Sequence, residues 1–333
     1  MTIRVNKSEF NIREKLTELE RPVGTKGNQI IAAETVQEAR DLISSGRRNL
    51  IINGDMRISQ RGTSGTKNGN GYGGYLSLDR WAVYYDDTII AKTDVTINGQ
   101  PKNACKVTAA GSNGRTYFYQ KIEHGSRLFG DGTPFSISFW ARASRDVKHR
   151  INWRYYNNGA ETTGSNHDIT DFDLTTEWKH YKFENLSKID SNYSQSRDCG
   201  LWLFNALGDD TGTGMWVEFT EIQVEKGKQC TEFEHRLDGE ELMLCHRYFQ
   251  RTERSRGSGN RDAGANVCAF SHKLNTTMRT TPNCEMITQG SDYNYSSKSF
   301  TNVRPDHVGV LITITNADSY WYYNHGYTAD AEI

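Results

Sequence analysis

Two groups of acidic residues lie close enough together to be weighed for acid–base chemistry: Asp171, Asp173 and Glu177, and Glu218, Glu221 and Glu225. A glycosidase needs two carboxyl groups facing each other across a cleft at a defined separation. Neither group has a diagnostic spacing, and strand alternation sends such side chains to solvent. His167-Asp168 and His180 lack a nucleophile motif such as G-x-S-x-G, so a hydrolytic triad has no support. The chain therefore reads as a non-enzyme. Its six cysteines (Cys105, Cys199, Cys230, Cys245, Cys268 and Cys284) are scattered without close pairs, a pattern of buried thiols rather than of a zinc site or a disulfide framework.

Recognition chemistry has better material. Sugars are bound by flat aromatic faces combined with amide, carboxylate or guanidinium groups for the hydroxyls. Three clusters offer that mixture: Tyr72, Tyr75 and Tyr84-Tyr85 around a glycine-rich loop; Trp153-Arg154-Tyr155-Tyr156-Asn157-Asn158; and Tyr320-Trp321-Tyr322-Tyr323-Asn324-His325. Within any strand alternate rings face opposite ways, so at most half of each cluster can meet a ligand. Trp81, in Asp79-Arg80-Trp81, reads as a core tryptophan with an Asp–Arg pair beside it.

The elements that must position these groups are mostly strands. Phe135-Ser-Ile-Ser-Phe-Trp-Ala alternates apolar and small residues, as a strand with one buried face does. Similar short runs occur at Trp81–Tyr85, Asn103–Ala109, Thr116–Ile122, Arg150–Tyr156, His180–Phe183, Gly200–Phe204 and Met215–Val224, without a long helix between them. That arrangement predicts a β-sandwich. The stretch Asn49–Gly62 predicts a strand, an Asn53-Gly54 turn and a second strand carrying Met56 and Ile58, while Thr220–Arg236 predicts the closing edge. A helix is predicted over Gly239–Arg251, then a solvated arginine-bearing loop, Arg251–Arg261. A final β-unit follows at Val267–His272, Thr280–Ile287, Val308–Thr315 and Ser319–Asn324.

Residues 1–48 have a different grammar. Phe10, Ile12, Leu16 and Leu19 recur at helical spacing among charges, a stripe too short to be stable without a partner, which suits attachment or oligomerisation. A second helix is predicted from a Thr35-x-x-Glu38 capping box. The division expected is thus 1–48 helical, 49–236 β-sandwich and 237–333 helix plus β.

Of the 333 residues, 40 are basic and 41 acidic, a balance that lacks the electrostatic footprint of a nucleic-acid binder. No run approaches the ~18 apolar residues of a membrane span, and MTIRVNKSEF lacks the apolar stretch of a signal peptide, so synthesis in a cytoplasm without membrane insertion is expected.

Taken together, NLIINGDMRISQRG (49–62), Leu78-Asp79-Arg80-Trp81, Glu241–Gln250, Met278-Arg279-Thr-Thr-Pro282 and Thr328–Ile333, in that order, resemble the bacteriophage tail-fibre and virion structural proteins that carry a carbohydrate-binding-module-like jelly roll. The resemblance spans roughly Asn49 to Ile333. It implies a mainly β fold, a jelly-roll β-sandwich with N-terminal helices and a small C-terminal β-rich domain. It also implies a location on the virion tail or outer surface, contacts with other virion proteins through the N-terminus, a homotrimer, and a host surface polysaccharide as ligand. Because the fibre tip in that family lies away from the attachment end, the C-terminal cluster is the preferred receptor site, with Tyr320, Trp321, Tyr322, Tyr323 and His325 as candidates and Trp153, Tyr155 and Tyr156 behind them. Related sugar-binding jelly rolls often hold a structural calcium ion at the bracketing strands, which here points to Asn53, Asp55 and Glu221, since calcium takes oxygen ligands. A capsid or tail decoration protein and a polysaccharide depolymerase are the alternative readings.

Overall fold

A computed structural model describes residues 32, 48–69, 74–84, 87–109, 117–124, 134–157, 160–161, 167–186, 198–203, 214–260, 267–287, 293–314 and 320–332. The chain divides into two compact units, Met1–Arg48 and Asn49–Ile333. The expected N-terminal helices, with Phe10, Ile12, Leu16 and Leu19, lie outside the described residues.

In the second unit all strand pairs are antiparallel. The first sheet has the order β1 (Ser64–Lys67), β3 (Thr88–Ile97), β4 (Gln100–Ala109), β12 (Trp216–Lys226), β6 (Phe135–Ala143), β10 (Lys179–Leu186). The second has β2 (Ala82–Tyr84), β5 (Tyr117–Ile122), β11 (Asp198–Leu203), β7 (Val147–Asn157) and β8 (Ala160–Glu161), with β9 (His167–Leu174) also paired to β7. Successive strands mostly change sheet, the winding of a jelly-roll sandwich. Each strand sends alternate residues inward. The shared core includes Trp81, Phe118, Phe139, Trp153, Leu201 and Phe219, all fully buried. Trp81 stacks on Phe118, with ring centroids 4.4 Å apart, and its indole N–H donates to the Asn53 carbonyl at 2.8 Å.

The opening stretch is not the expected hairpin. Leu50–Met56 forms bends and turns, with Asn53 at φ 57° and Met56 at φ 60°. Its backbone bonds go to β12 instead: Leu50 N–H donates to the Val224 carbonyl and Ile222 N–H to the Gly54 carbonyl, each at 2.9 Å. A Cβ on Gly54 would lie 2.3 Å from the Ile222 carbonyl oxygen, so only glycine allows this approach. The two bracketing stretches thus meet directly.

Beyond the sandwich, helix α1 (Asp238–His246) is shorter than expected, and the anticipated arginine loop is mostly strand β13 (Phe249–Asn260). Two three-stranded sheets follow. One has the order β13, β18 (Tyr320–Asp330), β15 (Asn283–Ile287); the other β14 (Val267–Lys273), β17 (His307–Ile314), β16 (Tyr295–Arg304). Gly257 and Gly259 of β13 face inward, with Trp321 packed beneath them. A Cβ on Gly257 would lie 2.9 Å from the Phe270 ring and 3.1 Å from the Trp321 ring.

A dense joint links the sandwich to these sheets. The Arg80 guanidinium stacks 3.4 Å from the Tyr248 ring centroid, pairs with Glu332, and donates to the Lys121 carbonyl at 2.6 Å. Arg61 lies 3.6 Å from the Phe249 ring centroid and pairs with Asp330 at 3.0 Å and Glu332 at 3.4 Å. Asp79 accepts from the Gln60 backbone N–H at 2.9 Å; burial pushes its pKa up to about 6 against the pull of Arg61 and Gln60. The expected Asp79–Arg80 pairing is therefore replaced by partners on other segments, because neighbouring residues at a turn point apart. Arg236 bonds the Ile51 carbonyl and Glu241, each at 3.1 Å. Arg279 donates to the Ala331 carbonyl at 3.1 Å. Met278-Arg279-Thr-Thr-Pro282 precedes the strand rather than starting it.

Candidate glycan-binding face

Aromatic side chains line three solvent-side faces of the unit, and their ring faces decide which could meet a ligand. On the outer side of the first sheet, Trp140 stacks on His180 with centroids 5.0 Å apart. Arg142 lies 5.0 Å from the Trp178 ring and 5.6 Å from that of Trp216, which Lys106 approaches at 4.5 Å. These rings are covered by the chain's own cations and imidazole, contacts worth about 0.5–1 kcal/mol each at exposed sites. Burial, then Lys182, lowers the His180 pKa, which favours the neutral form of the stacked imidazole.

The outer side of the second sheet carries Tyr119 stacked on Trp202 at 4.2 Å, Arg154 at 4.0 Å from the Trp202 ring, and the Trp202 indole N–H donating to the Tyr156 hydroxyl at 2.7 Å. Tyr119, Tyr156 and Trp202 are fully buried. The Trp153 cluster is divided by strand alternation: Trp153 and Tyr155 enter the sandwich core, and Tyr156 joins this covered layer. None of the three presents a ring face to solvent, which corrects their candidacy for ligand contact.

The C-terminal cluster is divided the same way. Trp321, Tyr323 and His325 point between the two three-stranded sheets and are buried. Phe270 lies 5.2 Å from Tyr323, whose hydroxyl donates to the Met286 sulfur at 3.2 Å. These three are core residues and leave the candidate site. Tyr320 and Tyr322 face outward, exposed and half-buried respectively. Sequence reasoning missed their partner, Tyr293. Tyr293 and Tyr322 exchange backbone hydrogen bonds at 3.1 and 3.2 Å, which puts their side chains on one face. The Tyr293 and Tyr320 rings lie 6.5 Å apart at 42°. With 63% and 50% exposure, they are the two exposed aromatic residues among the described residues. The alternation of aromatic and amide residues in Tyr293-Asn294-Tyr295 was the available signal.

Polar groups complete this face. Strand register sets Ser258 opposite Tyr322 and Arg256 opposite Asn324, all outward. Arg256 Nε donates to the Asn324 amide oxygen at 3.3 Å, and the Asn294 amide donates to the Tyr320 carbonyl at 3.0 Å. Tilted exposed rings flanked by hydroxyl, amide and guanidinium groups can stack on sugar C–H surfaces and bond sugar hydroxyls.

The calcium expectation does not fit. The Asn53 amide oxygen accepts from Ile58 N–H at 2.9 Å, and its NH2 donates to the Ile58 and Asp79 carbonyls. Asp55 pairs with Arg57 at 2.9 Å and Glu221 with Lys102. One oxygen of each is thus engaged by a different donor, and no group of three His, Cys, Asp or Glu side chains suited to a metal ion occurs among the described residues.

No family model matches the chain, and no curated protein does. Solved structures with some similarity are carbohydrate-binding modules. The C-terminal family 22 module of Clostridium thermocellum Xyn10B is 13% identical over 46% of this chain and 89% of its own, with a TM-score of 0.35. The CBM22-1 xylan-binding domain of Paenibacillus barcinonensis Xyn10C is 12% identical over 50% and 94%, at 0.33. A family 30 module from the cellulosomal cellulase Cel9D-Cel44B of C. thermocellum is 18% identical over 51% and 93%, at 0.30. Likenesses this distant leave the functional reading to the side chains of this chain.

Proposed function

We propose that this protein is a non-enzymatic bacteriophage virion protein, a tail fibre or fibre-like adhesin, that binds a host cell-surface glycan through the outer face of β13 and β18. The observation that carries glycan binding is the pairing of the two exposed tyrosines, Tyr293 and Tyr320, beside outward hydroxyl, amide and guanidinium groups. The virion assignment rests on the sequence motifs alone. In this reading residues 1–48 attach the protein to the particle and three copies associate, so that weak single sites act together. Three of the six carboxylates weighed for hydrolysis are engaged by cations: Arg150 Nε donates to Asp171 at 2.5 Å, Arg142 pairs with Glu218 at 2.7 Å, and Glu221 pairs with Lys102. That engagement favours binding over cleavage.

A decoration protein that only packs on neighbouring virion proteins is the second reading. It is favoured by Leu237 and Met243 at α1, which are 81% and 47% exposed and suit a protein contact. Adsorption of the phage to its host in the presence of purified full-length protein separates the two. Blocking by the wild type and not by a folded Tyr293→Ala, Tyr320→Ala variant is expected. Absence of blocking by an oligomeric wild-type protein would favour the decoration role.

A further inference from the structure

We infer that the glycan bound at the β13–β18 face is acidic, carrying a carboxylate or phosphate that Arg256 receives; this rests on the glycan-binding reading above. The arginine-bearing segment would be an unspecific charged loop if it were irregular, but residues 251–260 lie in strand β13 and have a register. That register sets Arg256 opposite Asn324, two pairs along from Ser258 and Tyr322, on the face that carries the exposed tyrosines. The Asn324 amide oxygen, 3.3 Å from Arg256 Nε, holds the guanidinium by its inner edge. Its two terminal nitrogens make no other hydrogen bond or ion pair among the described residues and belong to an exposed side chain. A guanidinium anchored through Nε still offers two parallel N–H donors, the fork that matches a carboxylate or phosphate.

Among the described residues the charge around it is one-sided. The carboxylates of this sheet lie elsewhere. Glu253 is turned to Arg251, at 2.7 Å; Glu285 pairs in register with Thr328, four residues along β18 from Asn324; and Asp330 belongs to the joint, bonded to Arg61. Four residues of strand are about 13 Å, beyond a Debye length at physiological salt. A neutral glycan would need only the tyrosines and amides; an acidic one also uses the cation.

The test is capture of full-length protein on an array of bacterial surface glycans that pairs uronate-bearing oligosaccharides with their carboxyl-reduced forms and includes poly(glycerol phosphate). Wild type, Arg256→Gln and Tyr320→Ala are compared at low and high salt. We expect the acidic glycans to be preferred, with Arg256→Gln weakening them about 10- to 100-fold, the range for a hydrogen-bonded charge pair. The reduced forms should be little changed by that variant, whereas Tyr320→Ala should weaken both. Which acidic class is retained tells uronate from phosphate. Equal capture of acidic and reduced glycans, unaltered by Arg256→Gln, overturns the acidic assignment and leaves glycan binding standing. No capture of any glycan by the wild type overturns both.

Discussion

Replacing Glu332 should strongly destabilise the protein. Its carboxylate, 5% exposed, pairs with Arg80 and Arg61, whose side chains are 1% and 8% exposed. Glu332→Ala leaves those guanidiniums in a joint with little water. Breaking a buried pair by removing one partner costs about 3–5 kcal/mol, because the other charge stays buried and uncompensated. Arg80 keeps its stacking on Tyr248 and its bond to the Lys121 carbonyl, and Arg61 keeps Asp330. The loss should therefore fall near the lower end, about 3 kcal/mol, a large share of a typical 5–15 kcal/mol total. Glu253→Ala is the control: Glu253 is 62% exposed and pairs with Arg251, so its loss should stay within about 1 kcal/mol. Urea unfolding of the full-length protein at pH 7 measures both through the shift in midpoint at unchanged slope. Arg80→Met added to Glu332→Ala should recover part of the loss, since the stranded charge goes with it. A Glu332→Ala loss no larger than that of Glu253→Ala would refute the account of the joint.

Two further outcomes follow from burial. Asp79 has a folded pKa near 6 against an ordinary 3.8, so the folded state takes up a proton at higher pH than the unfolded one. Its contribution is fully present below about pH 3.8 and is lost as pH rises through 6, a span on the order of 3 kcal/mol. Asp79→Asn should flatten that part of the stability–pH curve, read by denaturation between pH 4 and 7. Trp153→Ala should cost about 3–5 kcal/mol through the cavity it leaves, with glycan capture by the folded fraction unchanged; loss of capture at full stability would return Trp153 to the binding site.

Strands with strong alternation were legible almost to the residue. Thr116–Ile122 is observed as Tyr117–Ile122, and Phe135–Ala141 as Phe135–Ala143. The strand β3, Thr88–Ile97, was missed because Lys92, Thr93 and Asp94 interrupt its apolar residues, which its ten-residue pairing with β4 overrides. Leu50–Ile58 misled in the opposite sense: Ile51, Ile52 and Met56 are buried, but through turns, since the Asn53 amide and Gln120 satisfy backbone groups that a hairpin would have paired. The candidate face was half legible. Alternation within Tyr320–His325 separates outward from inward rings, but only the other three-stranded sheet, with Phe270, shows which set is covered. Tyr293 reaches the face through a long-range bridge that local sequence cannot express.

The motifs that carry the tail-fibre resemblance are largely those that build the joint. Gln60, Arg61, Asp79, Arg80, Tyr248, Arg279 and Glu332 interlock there, and none of them lies on the aromatic face. The connection runs along β18, whose Asp330 end is in the joint and whose Tyr320 end bears the exposed rings. Ten steps along this eleven-residue strand, at about 3.3 Å each, separate the two ends by roughly 33 Å. A joint tied by buried ion pairs and stacked guanidiniums therefore fixes the direction in which that face points. In the proposed trimer such fixed orientation would let three weak sites engage one surface together, because linked sites gain avidity only where the geometry lets them bind at once. The sequence features that resist change for folding and those that choose the ligand are then separated along one strand, and substitutions at the Tyr320 end should alter recognition while the joint at the Asp330 end keeps its stability.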